Sequence, residues 1–183
     1  VLTVNFNPFP VIKTERLLLR RIEISDVNEI FFLRSDKKVL QYLDREPAVN
    51  LEEAKSWIEK INDLQKNNEA ITWAITLKPG NTLTGTIGFW NIEKENYRAE
   101  IGYALHPHQQ GKGIMQEAMT AVLDYGFTIM KLHSIEANVN PNNLSSIKIL
   151  ERHKFTREAF FKENYFYDGK FLDSAIYSLI NPE

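Results

Sequence analysis

The chain contains no cysteine, which excludes disulfides, thiolate metal sites and a covalent cysteine intermediate. Any acyl or phosphoryl transfer it performs is therefore direct or uses another nucleophile. It also lacks an excess of either charge. Its 22 basic and 24 acidic residues leave a formal net charge of -2, so it has no polycationic signature of the kind that non-specific nucleic-acid binding requires. No direct nucleic-acid partner is expected, and a small cationic partner would meet no general repulsion. Apolar runs such as residues 30–33 are far too short to span a bilayer. The first residues show no basic segment followed by an apolar one. The expectation is a cytoplasmic protein with no membrane partner. There are four histidines, and His106 and His108 flank Pro107. No His-x-x-x-His or carboxylate spacing accompanies them, so no metal site is expected.

What is present is enough apolar material for a sizeable core: 43% hydrophobic and 11% aromatic residues in 183. One domain, residues 1–183, is the natural reading at this length. Residues 1–14 hold Pro8 and Pro10 and read as an irregular lead-in. RLLLRRI (16–22) reads as a strand, and Ser25 can cap a helix running to about Arg34. A short helical piece covers 36–43. Asn50 then stands three residues before Glu53, the spacing of a reciprocal capping box. Leu51, Ala54, Trp57, Ile58, Ile61 and Leu64 follow at helical spacing. From Ala70 the period changes. AITWAITL, TLTGTIGFWNI and YRAEIGYALH suggest an antiparallel meander. A helix over 112–127, a strand over 133–139, a helix from about Asn142 and two strands across Asp168-Gly169 complete the chain. The expected fold class is α/β in the α+β sense: a mostly antiparallel mixed sheet with flanking helices and one parallel pair, because strand 97–106, helix 112–127 and strand 133–139 form a crossover unit.

The turn inside that unit, HPHQQGKGIMQEAM (106–119), has unusual chemistry. A helix start exposes N–H groups without intrahelical partners and carries partial positive charge. Gly111 and Gly113 remove side chains that would keep a bulky anion from the backbone, and Lys112 adds a cation. Those are the properties of a pyrophosphate cradle. The spacing matches neither GxxxxGK[ST] nor GxGxxG, which removes the main support for an NTPase or dinucleotide reading. Two glycines alone would equally make a tight strand-to-helix turn.

Four segments, in order, resemble the GCN5-related N-acetyltransferase (GNAT) superfamily, in particular its RimJ/RimL-type ribosomal-protein N-terminal acetyltransferases. They are TERLLLRRIEISD (14–26), AEIGYALHPHQQGKGIMQEAM (99–119), NVNPNNLSSIKILERHKF (138–155) and ENYFYDGKFLDSAIYSL (163–179). The resemblance implies a GNAT-like acyl-CoA N-acyltransferase fold and acetyl-CoA as the acetyl donor. Gln110, Gly111, Lys112, Gly113, Ile114 and Met115 would form the pyrophosphate loop, with Met115 departing from the usual small residue. The strand ending at Leu105 and His106 would part from its parallel neighbour at a bulge and expose main chain to pantetheine. Asn143 would contact pantetheine and Ser146 would lie near the sulfur. Lys154 replaces the usual glycine before Phe155.

Transfer to an amine needs a base, a polarised carbonyl and a stabilised thiolate. Glu100, at a common acidic position of the family, is the first choice of base and Glu163 the second. Each is equally readable as a solvated strand residue. Ser146 and Tyr165 are the candidate proton donors to the thiolate, and main-chain N–H groups near 105–107 are the candidates to hold the carbonyl oxygen. Phe31, Phe32, Trp90, Tyr165 and Tyr167 could line an acceptor groove, although Phe31 and Phe32 fit a core as well. The leading expectation is acetyl transfer to a protein N-terminal α-amine. The alternatives are a polyamine or amino-sugar acceptor, a non-catalytic acyl-CoA sensor, or a nucleotide-binding module. An apolar exposed edge could support a homodimer.

Overall fold

The structure is a computed structural model that describes residues 1–183. One eight-stranded sheet runs through it, in the order β1-β2-β3-β4-β5-β6-β8-β7. β1 (Ile12–Lys13) and β2 (Leu17–Arg21) begin it, and β3 (Ile71–Leu77), β4 (Leu83–Glu93) and β5 (Arg98–Leu105) form the expected meander. β6 (Ser134–Val139) pairs parallel with β5, and every other pairing is antiparallel. β7 (Thr156–Tyr167) and β8 (Lys170–Ile180) make the closing hairpin. Its turn is the two-residue Asp168-Gly169, with φ of 48° and 75°. Paired positive φ values match the right-handed twist of the strands they join.

Strand alternation assigns two faces. Leu19, Trp73, Ile75, Ile87, Phe89 and Ile101 belong to the larger buried cluster, together with Ile114, Ala118, Met119 and Val122 of α4 (Ile114–Thr128). Ala74 on the opposite face joins Ile22, Ile30, Ala54 and Ile58 under α1 (Val27–Leu33), α2 (Lys37–Leu40) and α3 (Leu51–Lys66). α4 ends at Thr128, within a residue of the expected end. Gly126 serves close packing: a Cβ there would stand 2.8 Å from the Phe89 ring, so the helix lies nearer the sheet than any side chain would allow. No helix is long and apolar enough to cross a membrane.

Several local expectations are corrected. The lead-in is not simply irregular, because Leu2, Val4 and Phe6 alternate into the larger core and residues 12–13 add the short edge strand β1. Ser25 does not cap α1. It lies in a 3₁₀ turn over Ile24–Asp26, and Asp26 accepts both forks of Arg20 at 2.8 Å together with the Glu23 N–H. A charge-assisted bidentate pair outweighs a hydroxyl cap. Asn50 does cap α3, accepting from the Glu53 N–H, but Glu53 reaches back to the N–H of Val49 rather than of Asn50. After α5 (Leu144–Arg152), Lys154 takes the left-handed conformation, φ 69°. The Phe155 N–H bonds to the Leu150 carbonyl and the Lys154 N–H to that of Glu151, the pattern of a Schellman ending. The turn that glycine usually makes is thus retained with lysine.

Candidate active site

Pairing between β5 and β6 covers only Arg98–Glu100 against Ser134–Glu136. Beyond that point β5 continues to Leu105 and β6 to Val139 without meeting. The ladder with β4 fixes which groups face the gap. The His106 N–H donates to the Thr84 carbonyl at 2.8 Å, so in an antiparallel ladder Ala104 and Gly102 bond in turn to β4 while the main chain of Tyr103 and Leu105 points away from it. On β6 the Asn181 N–H bonds to the His133 carbonyl, and the same alternation turns the main chain of Asn138 toward β5. Unpaired backbone groups need partners, and an extended ligand bearing amides would supply them.

The structure makes two sequence expectations more specific here. The strand ending at Leu105 and His106 does part from its parallel neighbour, beginning after Glu100, while the register shift lies on β4 between Trp90 and Glu93. The His106 N–H is already committed to Thr84, and Pro107 has none. Of the N–H groups considered near 105–107, Leu105 is the one the ladder leaves facing the gap. Its side chain is buried in the main core. The His106 ring stacks on Phe32 of α1 at 4.4 Å, and its Nδ1 accepts from the His108 N–H. The histidine therefore acts as a wall between sheet and α1.

Past His106 the chain makes a 3₁₀ turn at Pro107–Gln109 and enters α4 through Gly111 (φ 76°) and Gly113 (φ 75°). Gly113 caps α4 without a side-chain hydrogen bond, which leaves the first-turn N–H groups to an outside acceptor. Nothing lies within 4 Å of a Cβ built on Gly111. Lys112 reaches only Gln109, at 3.3 Å. Ile114 and Met115 both point into the core, so the departure at Met115 is absorbed by packing while its main chain stays in the turn.

Ser146 lies in the first turn of α5 and is buried. Asn143 caps that helix, its Oδ1 accepting from the Ser146 N–H at 3.3 Å, while the Ser146 side chain takes no part in the cap. The Ser146 hydroxyl meets the Tyr103 hydroxyl at 2.5 Å. Tyr103 escaped the sequence reading, although it stands two residues before Leu105 on the same face of the strand. Burial pushes its phenol up to about 12, with the Ser146 bond acting in the opposite direction. It stays protonated over any ordinary assay range.

Glu100 lies on the opposite face of β5, the side on which Ala104 packs under α1–α3. It is half-buried, and burial raises its carboxyl above the usual range, opposed by the bond from Asn91 Nδ2 at 3.1 Å and by Arg98. Arg98 itself pairs with Glu136. Trp90, 49% exposed, lies over Gly102 on this same side, its Nε1 3.6 Å from the position of a Gly102 Cβ. Phe31 and Phe32 pack on the smaller core. The Tyr165 hydroxyl has a partner other than Ser146. It donates to the Asp44 carboxylate, and burial, then Asp44, raises its pKa. Glu163 is exposed at a β7 irregularity, with φ 48° and its N–H on Asp173. The Tyr165–Asp44 bond instead closes an arch between the hairpin and the loop from α2 to α3, with half-buried Tyr167 beside it.

The class is defined by a mixed sheet whose one parallel strand pair parts and leads to an open helix start. The chain belongs to the GNAT acetyltransferase family: the family model described as an acetyltransferase (GNAT) domain matches residues 16–156. It is an N-acetyltransferase of the GNAT type. It is 38% identical to the uncharacterized N-acetyltransferase p20 of Bacillus licheniformis over 170 residues, 93% of this chain and 96% of that one. It is 26% identical to the spermidine N(1)-acetyltransferase of Vibrio cholerae over 158 residues, 86% of this chain and 89% of the relative. Its fold superposes with a TM-score of 0.85 on RimL, a ribosomal L7/L12 α-N-protein acetyltransferase in complex with coenzyme A. That pair shares 25% identity, covering 93% of this chain and 98% of the other.

Proposed function

We propose that this chain moves an acetyl group from acetyl-CoA directly to a primary amine, with a protein N-terminal α-amine as the leading acceptor. The parting of β5 from β6 carries this reading. It gives pantetheine the main chain of Tyr103, Leu105 and Asn138 as partners, and it ends at the open turn 110–115, which suits the diphosphate. The residues present fit the donor: a turn with no Cβ at Gly111 and Gly113, a cation at Lys112 and unpaired main chain along the gap.

In the proposed step the neutral amine attacks the acetyl carbonyl, the C–N bond forms and the C–S bond breaks. Glu100 takes the amine proton, directly or through a water. Its raised pKa suits a base, and assistance of this kind is worth roughly 100- to 10,000-fold. Ser146, backed by the Tyr103 hydroxyl, donates to the departing thiolate. Leu105 offers its N–H to the carbonyl oxygen. Glu163 and Tyr165 act on the acceptor side instead, Tyr165 by closing the arch. With no cysteine in the chain, direct attack in a ternary complex is the economical course.

The acceptor enters on the α1–α3 side, beneath the arch. The Ala48 N–H bonds to the Arg34 carbonyl, which brings Arg45 near Arg34. The Arg34 guanidinium lies over Trp57 at 4.6 Å and is pulled down to about 10 by burial and by Arg45. The rim carries both signs of charge, since Asp44, Glu46, Asp168 and Asp173 surround Tyr165 and Tyr167, so the N-terminal reading is supported by the RimL-like fold rather than by charge. The test is CoA release with short peptides bearing free N-termini, polyamines and amino sugars, using Gly113→Trp as the cofactor-site control. Turnover on peptides that is lost in the control supports the proposal. Turnover confined to polyamines or amino sugars overturns its acceptor. Binding without turnover of any amine would point to a sensor.

A further inference from the structure

Arg16, in the loop before β2, is joined to the open turn by a network that the proposed mechanism does not use. Its main-chain N–H and Nε reach the Glu117 carboxylate at 2.9 and 2.7 Å, and the Thr14 hydroxyl reaches it at 2.5 Å. Glu117 lies in the first turn of α4. The Arg16 Nη1 donates to the Lys112 carbonyl at 2.9 Å. Its Nη2 has no hydrogen bond within the chain and lies 3.4 Å from where a Cβ on Gly113 would stand.

The consequence follows from peptide geometry. The peptide unit is planar and trans, so its C=O and the following N–H point in opposite directions. Fixing the Lys112 carbonyl on Arg16 therefore aims the Gly113 N–H away from Arg16, out of the turn. That peptide joins Lys112 to Gly113, whose φ is 75°, and glycine resists the rotation at its own end least. A turn built from glycines needs its orientation set from outside. Glu117 places a negative charge within one turn of the anion site, where it would oppose a diphosphate unless it held something useful there.

We propose that Arg16, held by Glu117 and Thr14, is a positioning residue that presets the diphosphate-binding turn. This rests on the acetyl-CoA reading above. The test is calorimetric titration of CoA into wild type, Arg16→Lys, Arg16→Ala and Glu117→Gln. A charge-assisted hydrogen bond is worth roughly 10-fold or more in affinity, so both Arg16 variants should weaken CoA about 10-fold or more. Lysine should not rescue, because it keeps the charge but cannot span Glu117 and the Lys112 carbonyl together. Glu117→Gln separates two explanations by sign. Through-space repulsion predicts tighter CoA binding once the carboxylate is neutral, whereas the positioning role predicts binding weaker by roughly 3-fold or more. In turnover, KM for acetyl-CoA should rise by more than kcat falls, with KM for the acceptor unmoved. Wild-type affinity in Arg16→Lys, or tighter binding in Glu117→Gln, would overturn the proposal even if Arg16→Ala failed to fold. Failure of the wild type to bind CoA at all would overturn the cofactor reading first, and this inference with it.

Discussion

The contact between Tyr103 and Ser146 gives a quantitative test of the proposed chemistry. A Tyr103 phenol pushed up to about 12 is a donor at every working pH. When it donates to the Ser146 oxygen at 2.5 Å, the serine proton is free to turn toward the gap and meet the thiolate. Tyr103→Phe removes that donor and leaves the buried serine to choose between its roles. Ser146→Ala removes the group itself. A hydrogen bond to a charged partner contributes about 1.5–3 kcal/mol. At 1.36 kcal/mol per tenfold change, each single variant should lose roughly 10- to 150-fold in kcat/KM. If the two hydroxyls act as a relay, the double variant should lose no more than the worse single one, a coupling of at least about 1 kcal/mol. The assay is CoA release at saturating acceptor for all four proteins, with CoA affinity measured alongside to show that the cofactor still binds. Additive losses would refute the relay, and unchanged kcat/KM in Ser146→Ala would remove serine from the proton path altogether.

Because burial raises the Glu100 carboxyl, activity should climb as pH rises through that elevated value, and Glu100→Gln should lose both the activity and the acid limb of the pH–rate profile. The same shift means the ionised form is disfavoured by folding, so the favourable contribution of Glu100 is present below its unfolded pKa and lost as pH rises through the folded one. Glu100→Gln should therefore melt higher than wild type at neutral pH, a difference that closes in acid. Lys154→Gly should raise Tm by roughly 2–4 °C, since lysine holds a left-handed position that costs about 1 kcal/mol relative to glycine; a lower Tm would show that the lysine side chain outweighs its backbone strain. Tyr165→Phe unlinks the arch from Asp44 and should raise KM for the acceptor roughly 5- to 10-fold while leaving KM for acetyl-CoA in place. Equal changes in both constants would contradict the assignment of the arch to the acceptor.

The elements that were legible in sequence are those whose signal is local. Period-two alternation gave the meander, helical spacing gave α3, and Asp168-Gly169 gave the hairpin turn. Where two local signals compete, the reading fails. Ser25 was a plausible cap, but Asp26 had a stronger partner in Arg20, six residues back. Leu2, Val4 and Phe6 alternate as plainly as any strand residues, yet the prolines nearby masked a segment that packs into the main core without joining the sheet. Nothing local dictates that β8 lies between β6 and β7, because that order depends on the fit of whole faces. The same order leaves β7 as the free edge, with Phe160, Phe161 and Phe166 exposed.

The two halves of the site differ for the same reason. The turn 110–115 would, in the proposed function, do its chemistry with consecutive main-chain groups, and glycine is the residue that advertises such use, so a short stretch of sequence is enough to propose a cradle. Side-chain partnerships are written at a distance. Tyr103 meets Ser146 across 43 positions, Arg16 meets Glu117 across 101, and Tyr165 meets Asp44 across 121. In each case one residue type is compatible with many partners, and only the fold selects among them. That is how Tyr165, a candidate proton donor in sequence, comes to bond Asp44 across the arch, and how Tyr103, an ordinary strand aromatic by alternation, comes to hold the serine beside the gap. If the proposed assignment holds, an acceptor site assembled from such long-range contacts would change its substrate through single residues in the arch while the local glycine turn kept the same donor.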